Sequence, residues 1–212
     1  RSIGYLSLLD EIPEMPQEQR CRYVGITLDK AKRLERLINE FFDITRYNLQ
    51  HIELELESVD LSFMLVQMAE EFRPMLDAHG NTIELEICGV HVASEADAPE
   101  LTLMADPDRL ARVLNNVLKN AVATAALARP LVFRPDGGRG RAAARPILVT
   151  DTGVTIPPHK LEAIFDKFFR LDEARATSTG GAGLGLAIAR EIVELHGGSI
   201  TAASEAGVTT FT

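Results

Sequence analysis

The sequence predicts an α+β protein in two parts: a helical hairpin over residues 1–50, then a layered sandwich of helices on a mostly antiparallel sheet over residues 51–212. Three observations predict it. Apolar residues before position 50 recur at helical spacing, interrupted once around Pro13 and Pro16. Beyond position 50, stretches of strand-like alternation take turns with stretches of helical period. With 46% hydrophobic and 25% charged residues, the composition is that of an ordinary globular protein rather than a disordered chain.

Residues 1–10 carry the first helical pattern, and Glu11 to Gln19 breaks it, because proline cannot continue a helix interior. A second pattern follows from Glu18 to Gln50. Val24, Ala31, Leu34, Ile38 and Phe41 fall at steps of seven, three, four and three, and Leu37, Phe42 and Ile44 widen the stripe. Arg33, Glu35, Arg36 and Glu40 fill the other faces. Two helices joined by a short turn make an antiparallel hairpin. One hairpin cannot bury such a stripe alone, so it is expected to be half of a dimeric four-helix bundle, the alternative being a hairpin packed on its own domain. Arg1 opens in mid-pattern and Thr209 to Thr212 reads as a strand stopped part-way, so the chain is expected to be a fragment.

In the second part, His51 to Leu61 alternates as a strand, with Ile52, Leu54, Leu56 and Val59 among acidic residues. Ser62 to His79 is helical and ends at Gly80-Asn81, and Thr82 to Cys88 alternates again. Asp106-Pro107 offers a capping residue followed by proline at the first helical position, opening a helix that runs to about Ala126. Residues 146–151 read as a short buried strand ending in an acid. Leu186 to His196 is a helix closed by Gly197-Gly198, and 199–211 is a hairpin turning near Gly207. Leu127 to Arg145, rich in Arg, Ala, Gly and Pro, shows no clear period; an exposed loop is one reading of it, and no element is assigned to it.

Composition excludes several function classes. A net charge of −9, from 22 basic and 31 acidic residues, argues against a nucleic-acid surface. Cys21 and Cys88 have no metal-site spacing and fit a reducing cytoplasm better than a disulfide scaffold. No apolar run approaches the roughly 18 residues of a membrane span, so the chain as it stands is expected to be soluble.

The densest chemical signal is Gly180-Gly181-Ala182-Gly183-Leu184-Gly185-Leu186, running straight into a helix. Glycines let backbone amides approach phosphate oxygens, and the helix N-terminus favours an anion, although such a turn alone is a weak signal. In the helix from Asp106, Asn116, Lys119 and Asn120 share one face, with Arg112 a turn earlier, while Leu110, Val113, Leu114, Val117 and Ala121 line another. Such a face can be merely solvated. Beside a glycine loop it suits an amide oxygen on Mg²⁺ and an ammonium on phosphate. Asp151-Thr152-Gly153 ends a buried strand, where a carboxylate can accept the amino hydrogens of adenine or where the chain simply turns. Phe165-Asp166-Lys167-Phe168-Phe169-Arg170, taken alone, is core packing more readily than a cofactor box.

Taken in order, the asparagine-bearing helix, Asp-x-Gly, Phe-x-x-Phe-x-Arg and Gly-x-Gly-Leu-Gly-Leu resemble the asparagine, first glycine, phenylalanine and second glycine boxes of the histidine-kinase branch of the GHKL ATPases. The likeness covers almost the whole chain and is densest from Gly181 to Gly198. More narrowly, Tyr5 to Glu11, Ile26 to Ala31, Phe41 to Gln50 and Met64 to Met68 resemble sensor kinases of vancomycin-resistance signalling.

The resemblance implies a GHKL-type α/β sandwich that binds ATP and Mg²⁺. Residue by residue, it implies Asn120 on the metal with Asn116 beside it, Lys119 near the phosphates, Asp151 on adenine and Gly153 lining the base pocket. Phe165 and Phe168 would anchor a lid over roughly residues 170–182, Arg170 would reach the phosphates, and Gly181, Gly183, Leu184 and Gly185 would form the loop over them. Thr209 would approach the adenine side.

The implied activity is that of a protein-histidine kinase, with a homodimer through the hairpin and a response-regulator receiver domain as partners. The implied place is the cytoplasmic portion of a bacterial cell-membrane protein. The family's phosphate-accepting histidine would lie before Arg1, and His51, His79, His91, His159 and His196 stand in other contexts, so this stretch is expected to bind ATP without labelling itself. His196 fits a structural helix end. Two departures bear on the site: Thr155 replaces a usual second glycine, stiffening a hinge, and Ala123 and Thr124 replace basic and aromatic residues. Another GHKL ATPase, or a non-catalytic dimerisation module of the same fold, remain the rival readings.

Overall fold

The computed structural model describes residues 2–12, 14–48, 53–78, 80–124, 130–135, 147–171 and 183–212. The chain divides into two compact units, Arg1–Asn48 and Leu49–Thr212. In the first, helix α1 (Ser2–Glu11) and helix α2 (Gln17–Asn48) pack as a hairpin. Met15 is buried at the turn. Tyr5 and Tyr23 lie 5.1 Å apart between ring centroids, Lys30 Nζ sits 5.0 Å over the Tyr5 ring, and Gln19 Nε2 donates to the Tyr23 hydroxyl at 3.0 Å. Val24, Leu28, Leu34 and Ile38 of α2 are left between 44% and 57% exposed, an unusual share for apolar residues at helical spacing. The side chains of Leu37, Phe41, Phe42 and Ile44 lie outside the described residues.

The second unit contains strand β1 (Glu57–Asp60), helix α3 (Leu61–Asp77), strands β2 (Thr82–Ile87), β3 (Val90–Val92) and β4 (Thr102–Ala105), and helix α4 (Pro107–Thr124). Strands β5 (Pro130–Pro135) and β6 (Ile147–Thr152), helix α5 (Gly185–Leu195) and strands β7 (Ala202–Glu205) and β8 (Val208–Phe211) complete it. Six strands form one sheet in the order β3-β2-β5-β6-β8-β7, with every pairing antiparallel except β2 with β5. β1 and β4 form a separate antiparallel ribbon. α3 packs on β2, α4 on β6 and α5 along α4. The core between helices and sheet is filled by Ile87, Leu118, Ile188, Ile192 and Phe211, with Ala121 and Ala189 wholly buried on α4 and α5. These are the helical hairpin and, after it in the sequence, the α+β sandwich that the alternating patterns predict. Among the described residues, no helix is long and apolar enough to cross a membrane.

Two expectations need correction, and two short strands were not foreseen. The strand expected over His51 to Leu61 is confined to Glu57–Asp60, because Asp60 accepts the Phe63 N–H at 2.9 Å and starts α3 at Leu61; His51 and Ile52 lie outside the described residues. The stretch read as an exposed loop holds β5 between β2 and β6, in the middle of the sheet. Prolines at both ends and a run too short for alternation hide a parallel-paired strand from pattern reading. β3 and β4, three and four residues long, are below what periodicity detects.

Phe211 closes the sheet against the helices, 2% exposed and edge-on to Phe165 at 6.4 Å. Phe211→Ala is expected to cost about 3–5 kcal/mol through lost burial and the cavity left behind. Urea unfolding followed by circular dichroism checks this as a lowered midpoint with an unchanged slope.

Candidate nucleotide site

The site begins where α4 begins. Asp106 is buried, and its Oδ1 accepts the Arg109 N–H at 3.1 Å, capping the helix. Its Oδ2 accepts the Glu55 N–H at 3.2 Å and pairs with the Arg109 guanidinium. Burial raises the carboxyl pKa, but the hydrogen bonds from Arg109 and Glu55 and the Arg109 charge outweigh it and hold the group below its ordinary 3.8. Across the unit, the Asp106 N–H donates to His196 Nε2 at 3.1 Å, while His196 Nδ1 donates to the Ile192 carbonyl at 2.9 Å. A carbonyl can only accept, so the ring carries its proton on Nδ1 and leaves Nε2 as the acceptor. His196, the C-cap of α5, thereby ties the end of that helix to the start of α4.

α4 buries Val113, Leu114, Val117, Leu118 and Ala121. Asn116 and Asn120 flank that stripe half-buried, and Lys119 is exposed. A Cβ added to Gly185 would stand 3.7 Å from the Cβ, Cγ and Oδ1 of Asn116, so the glycine loop and the asparagine face meet. Asn116 Nδ2 is buried with no hydrogen-bond partner among the described residues. Leu184, 1% exposed, anchors the loop, and among the described residues its side chain, at the N-cap of the α5 helix that starts at Gly185, makes no capping hydrogen bond. An unsatisfied amide nitrogen beside uncapped helix N–H groups fits a polyanion.

The second cluster lies on the sheet. β6 and β8 pair so that Asp151 stands opposite Thr209, and both are buried, at 1% and 3% exposure. They share a face with Val149 and Phe211, also buried, on the strand that α4 packs against. Beyond Asp151, the Gly153 N–H donates to the Gly207 carbonyl at 2.7 Å.

The phenylalanine segment splits. Phe165 is buried beneath Arg190, whose guanidinium lies 5.9 Å from its ring and spans Glu162 and Glu194 at 2.6 and 3.0 Å. Phe168 is 62% exposed, with φ of 67°, and contributes backbone: its N–H donates to the Gly183 carbonyl at 2.8 Å. Gly183, with φ of 75°, is required there, since a Cβ would meet the Phe169 carbonyl oxygen at 2.6 Å. Arg170 is half-buried. Gly181 and residues 172–182 of the expected lid lie outside the described residues.

The structure therefore joins Asn116 to Gly185, Asp151 to Thr209, and Phe168 to Gly183; the Lys119 side chain and the Phe168 ring face solvent. Sequence reading missed how Asp106 and His196 meet, and it missed Ser204, whose hydroxyl reaches Thr209 Oγ1 at 2.9 Å. Only the Asp-Pro cap hinted at the first of these.

Comparison with known proteins gives the chain its family. Residues 105–212 match the histidine kinase-, DNA gyrase B- and HSP90-like ATPase family, and the chain belongs to that family. It is 53% identical to the sensor protein VanS of Enterococcus faecium over 210 residues, which are 99% of this chain and 51% of VanS. Identity to the sensor protein VanSC of Enterococcus gallinarum is 39% over 203 residues, 96% of this chain and 52% of that protein. The chain spans about half the length of these curated relatives. Among solved structures, full-length ShkA in complex with AMPPNP superposes with a TM-score of 0.75 at 27% identity, covering 99% of this chain and 42% of ShkA.

The Asp106 node predicts an acid sensitivity. Its carboxyl is held below 3.8 in the folded state, so its stabilising contribution is complete above that pH and is lost as pH falls through the lowered value. Asp106→Asn, which can still cap the helix but loses the charge paired with Arg109, is expected to be less stable than the parent at neutral pH by about 1–2 kcal/mol, the scale separating charge-assisted from neutral hydrogen bonds. The gap should shrink as the pH drops below 3.8, read by denaturant melts across a pH series.

Proposed function

We propose that the chain is the catalytic ATP-binding part of a sensor histidine kinase in vancomycin-resistance signalling. The observation that carries this is the pairing of two chemistries in one unit: a buried carboxylate opposite a hydroxyl on the sheet, and an unsatisfied asparagine amide against a glycine loop on the helices. The likeness to VanS and VanSC supports the pathway.

Asp151 would accept the adenine amino hydrogens, with Thr209 beside it and Gly153 keeping the backbone close to the base. Asn116 would donate from its free amide nitrogen toward the phosphates, which the N–H groups of Gly183, Gly185 and the first turn of α5 would cradle. Gly181 belongs to that loop in the proposal. Lys119 and Arg170 would supply charge from the sides, while Leu184 holds the loop down. Phe165 and Phe168 would fix the start of the covering segment.

Asn120 would offer its amide oxygen to Mg²⁺, which takes one or two protein oxygens and keeps the rest of its shell for phosphate and water. Bound there, Mg²⁺ would neutralise charge building on the transferring γ-phosphoryl. The residues around it act by positioning and electrostatics. The acceptor would be a histidine of the kinase's helical hairpin, and a response-regulator aspartate would take the group next. The exposed stripe of Val24, Leu28, Leu34 and Ile38 supports a homodimer through that hairpin.

Calorimetric titration with a non-hydrolysable ATP analogue and Mg²⁺ tests the reading. The expected result is saturable binding that Asn120→Ala weakens by at least about tenfold, or about 1.4 kcal/mol. Absence of binding at millimolar nucleotide would instead favour a non-catalytic dimerisation module.

A further inference from the structure

Three hydrogen bonds fasten the turn after β6 to the β7–β8 hairpin. Besides the bond from Gly153 to the Gly207 carbonyl, the Gly207 N–H donates back to Thr155 Oγ1 at 2.7 Å. The Ile156 N–H donates to Ser204 Oγ at 2.9 Å. The Ser204 oxygen also meets Thr209 Oγ1 at 2.9 Å, and Thr209 stands opposite Asp151. The hairpin turn is itself tight, with positive φ at Ala206 (50°) and Gly207 (79°), the pattern of a two-residue turn matched to strand twist. A Cβ on Gly207 would lie 3.1 Å from the Gly153 carbonyl oxygen, so the two turns are in backbone contact. Ile156, 4% exposed, seats the far end of the connection in the core.

We infer that Thr155 and Ser204 are positioning residues that pre-form the base-recognition end of the site. The inference rests on the reading of Asp151 and Thr209 as the adenine contacts. A glycine at position 155 would have no side-chain oxygen for the Gly207 N–H; threonine turns a free hinge into a latch. Ser204 serves both sides of the pocket. One lone pair takes the Ile156 N–H, and either the hydroxyl hydrogen or the second lone pair engages Thr209 Oγ1. The Thr209 hydroxyl is therefore held in place opposite Asp151 before any ligand arrives, and rigidity of this kind lowers the ordering cost of binding.

The test uses Thr155→Val, which keeps shape and removes the acceptor, Ser204→Ala, and Thr155→Ser as the conservative rescue. Amide hydrogen exchange at Gly207 and Ile156 is measured without nucleotide, and affinities for ATP and GTP analogues are measured with each variant. Thr155→Val should speed exchange at Gly207 and Ser204→Ala at Ile156, each by about three- to tenfold, the scale of one lost hydrogen bond. ATP affinity should fall by a similar factor while GTP affinity is unchanged, narrowing base preference, and Thr155→Ser should restore parental values. Parental exchange and affinity in both variants would overturn the inference, as would equal losses for ATP and GTP that track melting temperature. A parent chain that binds neither nucleotide would instead overturn the adenine reading itself, whatever the exchange rates show.

Discussion

The register between β6 and β8 is the constraint on which the site depends. A slip of one residue in an antiparallel pair sends every side chain of the strand to the opposite face. Here it would carry Thr209 away from Asp151 and Phe211 out of the core. Both ends of the pairing are pinned. Phe211 opposite Val149 is buried against Phe165, and at the other end the Gly153 N–H and the Gly207 carbonyl close the ladder. On the outer face the hydroxyls of Thr150 and Thr210 meet at 3.0 Å, agreeing with the same register. A carboxylate as deeply buried as Asp151 is costly, and a strand that could slip would shed it to solvent.

A second lock governs the helical half. Asp106 caps α4, takes in the Glu55 N–H and gives its own N–H to His196 at the end of α5. The two helices carrying Asn116 and Gly185 are thus joined at one end by a histidine and along their length by buried alanines. One lock places the proposed base end of the nucleotide and the other its proposed phosphate end. The second lock is made of Asp106, Arg109 and His196, none of which would touch the ligand.

Elements with long, strong periods were legible in the sequence. α4 shows a polar face with asparagines a turn apart, α5 starts at a glycine loop and stops just before Gly197-Gly198, and β2 alternates cleanly. The short strands were not. β5 lies between prolines in a stretch without period, and its place in the sheet comes from pairing with β2 and β6, which no local pattern encodes. Leu118 escaped the apolar stripe although it is 1% exposed, because α4 packs against both α5 and β6 and its buried face is wider than a local count suggests. The order of the boxes made the candidate residues visible, but not the contacts joining them. His196 and Asp106 are 90 positions apart, and Ile156 and Ser204 are 48 apart. Thr155 is instructive: its sequence shows only a missing glycine, and the structure shows what the replacement oxygen holds.

The most direct measurement is a nitrogen-15 chemical-shift map of the chain titrated with an ATP analogue. The account predicts the largest shifts at Asp151 to Gly153, Gly207 to Thr210, Asn116 to Asn120 and Gly183 to Ala187, with α1 and α2 little affected. Shifts centred instead on the charged groove around Glu162, Lys167, Arg190 and Glu194, or none at saturating nucleotide, would contradict it.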